Sequence, residues 1–265
     1  MGDTGVFTLA CQHPTMPTLP VTLPRMPVTA WVVFLVLPAR AVCALFAQAL
    51  AAVALWMAGD ASPWESSAGW WTVYGSIADV LCLVLLAWAL RREGLRLRDL
   101  VPVSGGSLGA QLKALPLYLV ALVPFVAGSA LIAIPFYQGA APGQIAVIDL
   151  PLWATIYSVA VWPLLWAIAE QLFYLGYLLP RLEQLTGRRW AAAAIVIAVW
   201  GAQHLVIPFM ADATYMLARL LTALVVAAGM TLVYLLQHRR LVTTTIIHWL
   251  ADAPTALLPL VLLVP

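Results

Sequence analysis

The chain has 265 residues, of which 64% are apolar and 9% are charged, and its formal net charge is +2. Soluble domains average about 45–50% apolar and about 25% charged residues, so this composition excludes a cytosolic enzyme and a disordered chain. The few basic residues are too scattered to form a nucleic-acid-binding surface. The three cysteines, Cys11, Cys43 and Cys82, supply neither a disulfide framework nor a CxxC metal pair. The sequence therefore indicates an integral membrane protein.

The N-terminal segment 1–27 contains five prolines between residues 14 and 27, and proline disfavours both helix and sheet. We expect a disordered cytoplasmic tail there, followed by a transmembrane helical domain over residues 28–265. A helix needs about 20 apolar residues to cross the hydrocarbon core of a bilayer. The predicted fold class is all-α, a bundle of about seven transmembrane helices. The predicted spans are approximately 31–57, 70–90, 112–134, 152–179, 190–209, 216–236 and 241–263.

Basic residues are concentrated in alternate connections between these spans. The second-to-third, fourth-to-fifth and sixth-to-seventh connections carry most of the arginines, whereas the intervening connections carry few. The positive-inside rule places basic connections in the cytoplasm. We therefore expect the N-terminus in the cytoplasm and the C-terminus outside, in the plasma membrane of a bacterium.

Ionisable and amide side chains within the spans are the first candidates for function, because a charge at bilayer depth is costly unless it is paired or faces water. At a rise of about 1.5 Å per residue, four of these residues fall in one layer on the cytoplasmic side of the midplane, namely Glu170, His204, His248 and Asp252. Three helices are therefore expected to bring a carboxylate and two imidazoles to one point. The candidate residues are Asp79, Glu170, Gln171, Gln203, His204, His248 and Asp252.

Such a cluster suits hydrolysis. A carboxylate and an imidazole that share a water molecule can take its proton, and a second imidazole can stabilise the oxyanion that forms. Histidine is also a common zinc ligand, and His204 and His248 are the candidate pair. Spacing alone does not separate a metal-free site from a zinc site, so both cofactor states stay open.

Three stretches resemble the motifs of the CPBP family of intramembrane proteases, also called the CAAX-processing, bacteriocin-processing or Abi family. The family motif Glu-Glu-x-x-x-Arg, usually followed by Gly, is matched by EQLFYLG beginning at Glu170. Phe-x-x-x-His is matched by WGAQH ending at His204, and His-x-x-x-Asn or His-x-x-x-Asp by HWLAD beginning at His248. The motif-bearing core covers about residues 150–255.

The resemblance implies a role for each matched residue. Glu170 would activate water together with His204. His248 and the residue four positions later, Asp252, would hold the oxyanion. The positions expected to support these residues are Gln171, Tyr174 and Trp200.

The chain departs from the family pattern at several positions. Gln171 stands where the family has its second glutamate, and Leu175 stands where it has arginine. Those two residues are expected to form a supporting ion pair in relatives, and the loss of both avoids a lone buried charge. Trp200 in place of phenylalanine is interpreted as a conservative aromatic exchange. Asp252 cannot donate a hydrogen bond while it is ionised, so it is either protonated or orients His248.

The resulting prediction is an intramembrane endopeptidase, glutamate-type or metal-dependent, that cleaves a membrane-associated protein or peptide. One alternative is a non-catalytic relative that binds a peptide or a partner helix, with a bacteriocin-immunity or regulatory role. Another is a transporter. The span residues Gln171 and Gln203 are interpreted as hydrogen-bonding neighbouring helices. Asp79 lies outside the motifs, and whether it has a direct role stays open.

Overall fold

A computed structural model of the chain describes residues 30–101, 108–137 and 150–263. Every regular element in these three ranges is a helix, which confirms the all-α prediction. The tail predicted over residues 1–27 lies outside the described residues.

A helix lies in each of the seven predicted spans. The N-terminal helices are α1 (Ala30–Val36), α2 (Ala39–Met57), α3 (Pro63–Ser67), α4 (Trp71–Arg92) and α5 (Leu108–Tyr137), with 3₁₀ turns at Ala68–Trp70 and Leu97–Leu100. The C-terminal helices are α6 (Leu152–Ala160), α7 (Trp162–Glu170), a π-helical segment (Gln171–Leu178), α8 (Leu179–Thr186), α9 (Arg189–Gln203), α10 (Ala213–Leu236) and α11 (Leu241–Leu263).

The described residues support fewer membrane spans than the hydropathy pattern predicts. Four stretches are long and apolar enough to cross a bilayer, namely Ala30–Met57, Pro63–Arg92, Leu112–Phe136 and Ala213–Leu236. The pair formed by Leu152–Ala160 and Trp162–Thr186, bent by 42°, would be a fifth. Helix α9 has 15 residues, fewer than the roughly 20 that a straight crossing needs. The structure therefore supports four or five spans, and the count of seven is not confirmed.

Large apolar side chains cover the outside of the helices, while small residues lie between them. Phe34, Trp56 and Leu131 are all exposed, whereas Ala44 and Ala78 are buried between helices. Extended apolar surface of this kind is unfavourable in water and suits contact with lipid. Small residues allow helices in a membrane to approach each other closely. The distribution of side chains is therefore that of an integral membrane protein.

Two glycines mark the closest approaches between helices. A Cβ atom at Gly201 of α9 would lie 2.5 Å from Cδ2 of Leu224 in α10. A Cβ atom at Gly229 of α10 would lie 2.5 Å from Cγ of Phe125 in α5. No larger residue fits at either position without a shift of its neighbour. Helix α10 therefore packs tightly against both α9 and α5.

The helical stretch from residue 152 to residue 186 changes geometry along its length and carries Glu170 near its middle. Pro163 follows the bend between α6 and α7, and Pro180 lies in the first turn of α8. Proline interrupts regular helical hydrogen bonding because it lacks an N–H group. The segment between these prolines continues as a π-helix, a rare form that is frequent at functional sites. Glu170 therefore lies at the end of α7, where the helix widens.

Candidate active site

The carboxylate of Glu170 lies at the centre of a buried polar cluster, and the residue is only 1% exposed. Trp200 Nε1 donates a hydrogen bond of 2.7 Å to Oε2, and the side-chain amide of Gln203 donates to Oε1. Both donors come from α9. Arg40 Nε of α2 lies 3.3 Å from Oε1. Hydrogen bonds and an ion pair therefore fix the orientation of the carboxylate.

His248 approaches Glu170 from α11. Its Nε2 atom lies 3.6 Å from Glu170 Oε2 and 3.2 Å from Asp252 Oδ2. On the opposite side of the ring, the side-chain amide nitrogen of Gln171 lies 2.9 Å from Nδ1. An amide nitrogen only donates, so Nδ1 accepts and the proton of the neutral ring is on Nε2. His248 therefore directs an N–H donor toward two carboxylates.

Asp252 contacts the histidine that precedes it by four residues, as their shared helix face predicts. The carboxylate is half-buried, and its Oδ2 atom lies 3.2 Å from Nε2 of His248. This contact favours the second of the two sequence-based possibilities, in which Asp252 orients His248.

His204 lies just after the end of α9 and has different partners. Its Nδ1 atom lies 2.9 Å from the carbonyl oxygen of Trp200. A carbonyl only accepts, so Nδ1 carries the proton and Nε2 of the neutral ring has a free electron pair. The ring packs edge-on against Trp166, with centroids 6.4 Å apart. In the described part of the chain, no hydrogen bond or ion pair joins His204 to Glu170, so their partnership stays a prediction.

The supporting residues on α9 and the π-helical segment form a connected network. The Tyr174 hydroxyl donates a hydrogen bond of 2.7 Å to Gln203 Oε1. The Tyr174 ring stacks on Trp200, with centroids 5.0 Å apart and an interplanar angle of 14°. The two donors to Glu170 are therefore both held by Tyr174.

One sequence-based interpretation is confirmed and another needs correction. Gln171 and Gln203 do hydrogen-bond neighbouring helices, and their partners there are the site residues His248 and Glu170. The exchange of phenylalanine for Trp200 is not conservative, because its indole N–H donates to Glu170 and phenylalanine has no such donor. The indole was visible in the sequence, but its partner was set by the packing of separate helices.

Two charged residues from the N-terminal half reach the same cluster. Arg40 of α2 forms an ion pair with Asp79 of α4, with Nη1 2.6 Å from Oδ1, in addition to its contact with Glu170. The sequence-based prediction names Asp79 as a candidate without assigning its role, and it does not name Arg40. A signal was nevertheless present, since opposite charges in two neighbouring apolar spans are expected to pair within a bilayer.

The described residues do not assemble a zinc site. No three side chains of His, Cys, Asp or Glu in the described ranges are arranged to hold a metal ion. Of the two predicted ligands, only His204 has a free electron pair on Nε2, because Nδ1 of His248 accepts from the Gln171 amide and its Nε2 carries the proton. The arrangement of side chains therefore does not fit the zinc alternative.

A comparison with known protein families gives a match in the segment that contains this site. Residues 151–254 match the model of the Rce1-like family, described as type II CAAX prenyl endopeptidase Rce1-like. No match was found among curated proteins or among solved structures. The matched segment contains Glu170, His248 and Asp252, whereas Arg40 and Asp79 lie before it. Over residues 151–254 the chain is therefore similar to the Rce1-like family of type II CAAX prenyl endopeptidases.

Proposed function

We propose that the chain is an intramembrane endopeptidase in which Glu170 activates a water molecule for attack on a peptide bond. The observation that carries the proposal is the buried cluster of Glu170, His248 and Asp252 within the CAAX-protease-like segment. Glu170 Oε2 and His248 Nε2, at 3.6 Å, are too far apart for a direct hydrogen bond. One water molecule can bind both atoms at ordinary distances.

The two histidines suit different steps, because their hydrogen bonds place the proton on different nitrogens. His248 presents Nε2–H, which can donate to an oxyanion. His204 has a free electron pair on Nε2, which can accept a proton. The Gln171 amide supports the first state and the Trp200 carbonyl supports the second. This division agrees with the roles that the family resemblance implies.

In the proposed reaction, Glu170 takes a proton from water while the water oxygen bonds to the carbonyl carbon of the scissile peptide. The oxyanion accepts a hydrogen bond from His248 Nε2–H, which Asp252 holds in place before the substrate binds. Collapse of the tetrahedral intermediate breaks the C–N bond. The amine leaves with the proton that Glu170 had accepted, and the carboxylate is restored.

The proposed substrate is a membrane-associated protein or peptide, since apolar side chains cover the helices around the site. The test compares cells that carry the wild-type chain with cells that carry Glu170→Ala. Mass spectrometry of membrane peptides should find new C-termini only with the wild-type chain. Identical sets of termini in both cells would contradict proteolysis.

A non-catalytic role in binding a peptide is the second candidate, and one observation favours it. Glu170 already accepts hydrogen bonds from Trp200 and Gln203 and is almost fully buried. A carboxylate enclosed in this way can serve a structural role. In that case Glu170→Gln would keep the biological activity of the chain, because an amide has nearly the same shape and still offers an oxygen to Trp200.

We expect hydrolysis to proceed without a bound metal, because the described histidines and acids do not form a set of zinc ligands. Prolonged treatment of the purified protein with a strong chelator should change the cleavage rate by less than about twofold, whereas a zinc-dependent site loses activity when its metal is removed. Elemental analysis of the same samples is the independent measurement. Loss of activity on chelation and its return with added zinc would contradict the expectation.

Trp200→Phe separates the hydrogen bond of Trp200 from its packing. Phenylalanine keeps an aromatic ring against Tyr174 but removes the N–H donor to Glu170. Because a hydrogen bond to a charged group contributes about 1.5–3 kcal/mol, we expect kcat for a membrane-tethered peptide reporter to fall roughly 10- to 100-fold. The matched control, Tyr174→Phe, removes only a neutral hydroxyl from the network and should lose less than about tenfold. Equal rates for Trp200→Phe and wild type would show that the indole N–H is not needed.

A further inference from the structure

A buried ion pair outside the CAAX-protease-like segment contacts the proposed general base. Arg40 and Asp79 come from α2 and α4, and their Nη1 and Oδ1 atoms are 2.6 Å apart. Their side chains are 1% and 0% exposed, so water does not weaken the interaction. The guanidinium carbon of Arg40 also lies 4.4 Å from the ring centroid of Trp166, which limits the movement of the guanidinium. The pair is therefore a rigid feature of the bundle interior.

Arg40 connects this pair to Glu170. Its Nε atom is 3.3 Å from Glu170 Oε1, so one guanidinium is shared between two carboxylates. Within the three described ranges, no lysine or other arginine forms an ion pair with Glu170. The first motif itself offers no cation, because residues 171 and 175 are glutamine and leucine. The positive charge beside the general base is therefore contributed by α2.

We propose that Arg40 and Asp79 are positioning residues that hold the Glu170 carboxylate in the orientation needed for hydrolysis. The guanidinium forms ion pairs with both carboxylates, at 2.6 Å to Asp79 and 3.3 Å to Glu170, so its charge holds the two acids in fixed positions relative to each other. Asp79 takes the shorter contact and anchors Arg40, which leaves Arg40 only a longer contact to Glu170. Glu170 is thereby oriented while part of its charge stays available to accept a proton. This inference rests on the proposed function.

Three variants test the pair by their kcat and KM on the membrane-tethered reporter. Arg40→Gln leaves two buried carboxylates without a cation, and we expect kcat to fall by at least about 100-fold while KM changes less than about twofold. Arg40→Lys keeps the charge but not the planar fork, so kcat should recover to within about tenfold of wild type. Asp79→Asn releases Arg40 to bind Glu170 more closely, and kcat should fall by about tenfold. If Arg40→Gln fails to accumulate, Arg40→Lys and Asp79→Asn still decide the test.

The chain offers a matched control in a second buried ion pair. Arg181 Nε of α8 lies 3.0 Å from Oε2 of Glu93, and these side chains are 4% and 0% exposed. This pair has no contact with Glu170 among the described residues. Arg181→Gln should lower thermal stability as Arg40→Gln does, but should leave kcat within about twofold of wild type. Equal losses of kcat in the two variants would mean that Arg40 acts only through stability, and would overturn the proposal.

A spectroscopic measurement separates the pair's role from the proposed function. The carboxylate stretching band of Glu170 can be assigned by its loss from the infrared spectrum of Glu170→Gln. This band should shift in Arg40→Lys and Asp79→Asn and should stay unchanged in Arg181→Gln. If the band shifts in these variants but the wild-type chain cleaves no peptide, the proposed function is wrong and the positioning contact is supported. If the wild-type chain cleaves the reporter but the variants show neither a band shift nor a loss of kcat, the positioning role is contradicted and the proposed function stands.

Discussion

Glu170→Gln should lower kcat for a membrane-tethered peptide reporter by roughly 10²–10⁴-fold, the usual contribution of a general base. Glutamine has nearly the same size as glutamate and keeps an oxygen for Trp200, while its amide nitrogen faces Gln203, whose side-chain amide must turn over to present its oxygen. The introduced glutamine cannot take a proton from water at ordinary pH. Arg40 keeps its ion pair with Asp79, so its charge is not left alone in the bundle. We therefore expect the variant to reach wild-type abundance and lose its activity.

Glu183→Gln is the matched control for this substitution. Glu183 of α8 forms an ion pair with Arg239 at 2.7 Å and a longer one with Arg189 at 3.7 Å, and it has no described contact with Glu170. Removal of the same charge there should leave kcat within about twofold of wild type, because partly exposed ion pairs contribute little. Full activity of Glu170→Gln, measured on the same reporter, would exclude Glu170 as the base.

His248→Ala is expected to have the next largest effect, a fall in kcat of roughly 10²–10³-fold, as for the loss of one donor to an oxyanion. The substitution removes the Nε2–H group between Glu170 and Asp252. His238→Ala, in the exposed turn after α10, is the control and should be neutral. Normal cleavage by folded His248→Ala would contradict the oxyanion role.

His204→Ala, measured beside His248→Ala, tests which imidazole acts with Glu170. If His204 acts with Glu170 as a base on the water molecule, His204→Ala should lower kcat as severely as His248→Ala does, by roughly 10²-fold or more. Among the described residues, the hydrogen-bond partner of the His204 side chain is the carbonyl oxygen of Trp200. A small effect of His204→Ala beside a large effect of His248→Ala would assign both steps to the cluster around Glu170.

Much of the fold was predictable from hydropathy, because each apolar stretch of the sequence forms a helix. The segment 190–209 shows where this reasoning fails. Its apolar residues predict a span, but α9 ends at Gln203, before the chain continues to Pro208. Lipid and the protein interior both favour apolar side chains. Apolar composition therefore does not distinguish a short helix inside the bundle from one that crosses the bilayer.

In the candidate site, contacts between residues of the same helix were predictable from their spacing. His248 and Asp252 share a face of α11, and their contact follows from a spacing of four residues. The donors to Glu170 were not predictable in this way. Arg40 is more than 100 residues from Glu170 in sequence, and its contact depends on how α2 packs against α4 and α7. Spacing along one helix does not reveal such contacts between distant helices.

The close approach at Gly201 has a consequence for the chemistry beside it. Trp200 and Gln203 flank this glycine, and both reach Glu170 from a helix whose backbone lies against Leu224. The separation of two helix axes, rather than the strength of any polar bond, therefore sets how far both donors extend. An added methyl group at residue 201 would act as a wedge between α9 and α10. Every chemical group would still be present, and the two donors would be misaligned together.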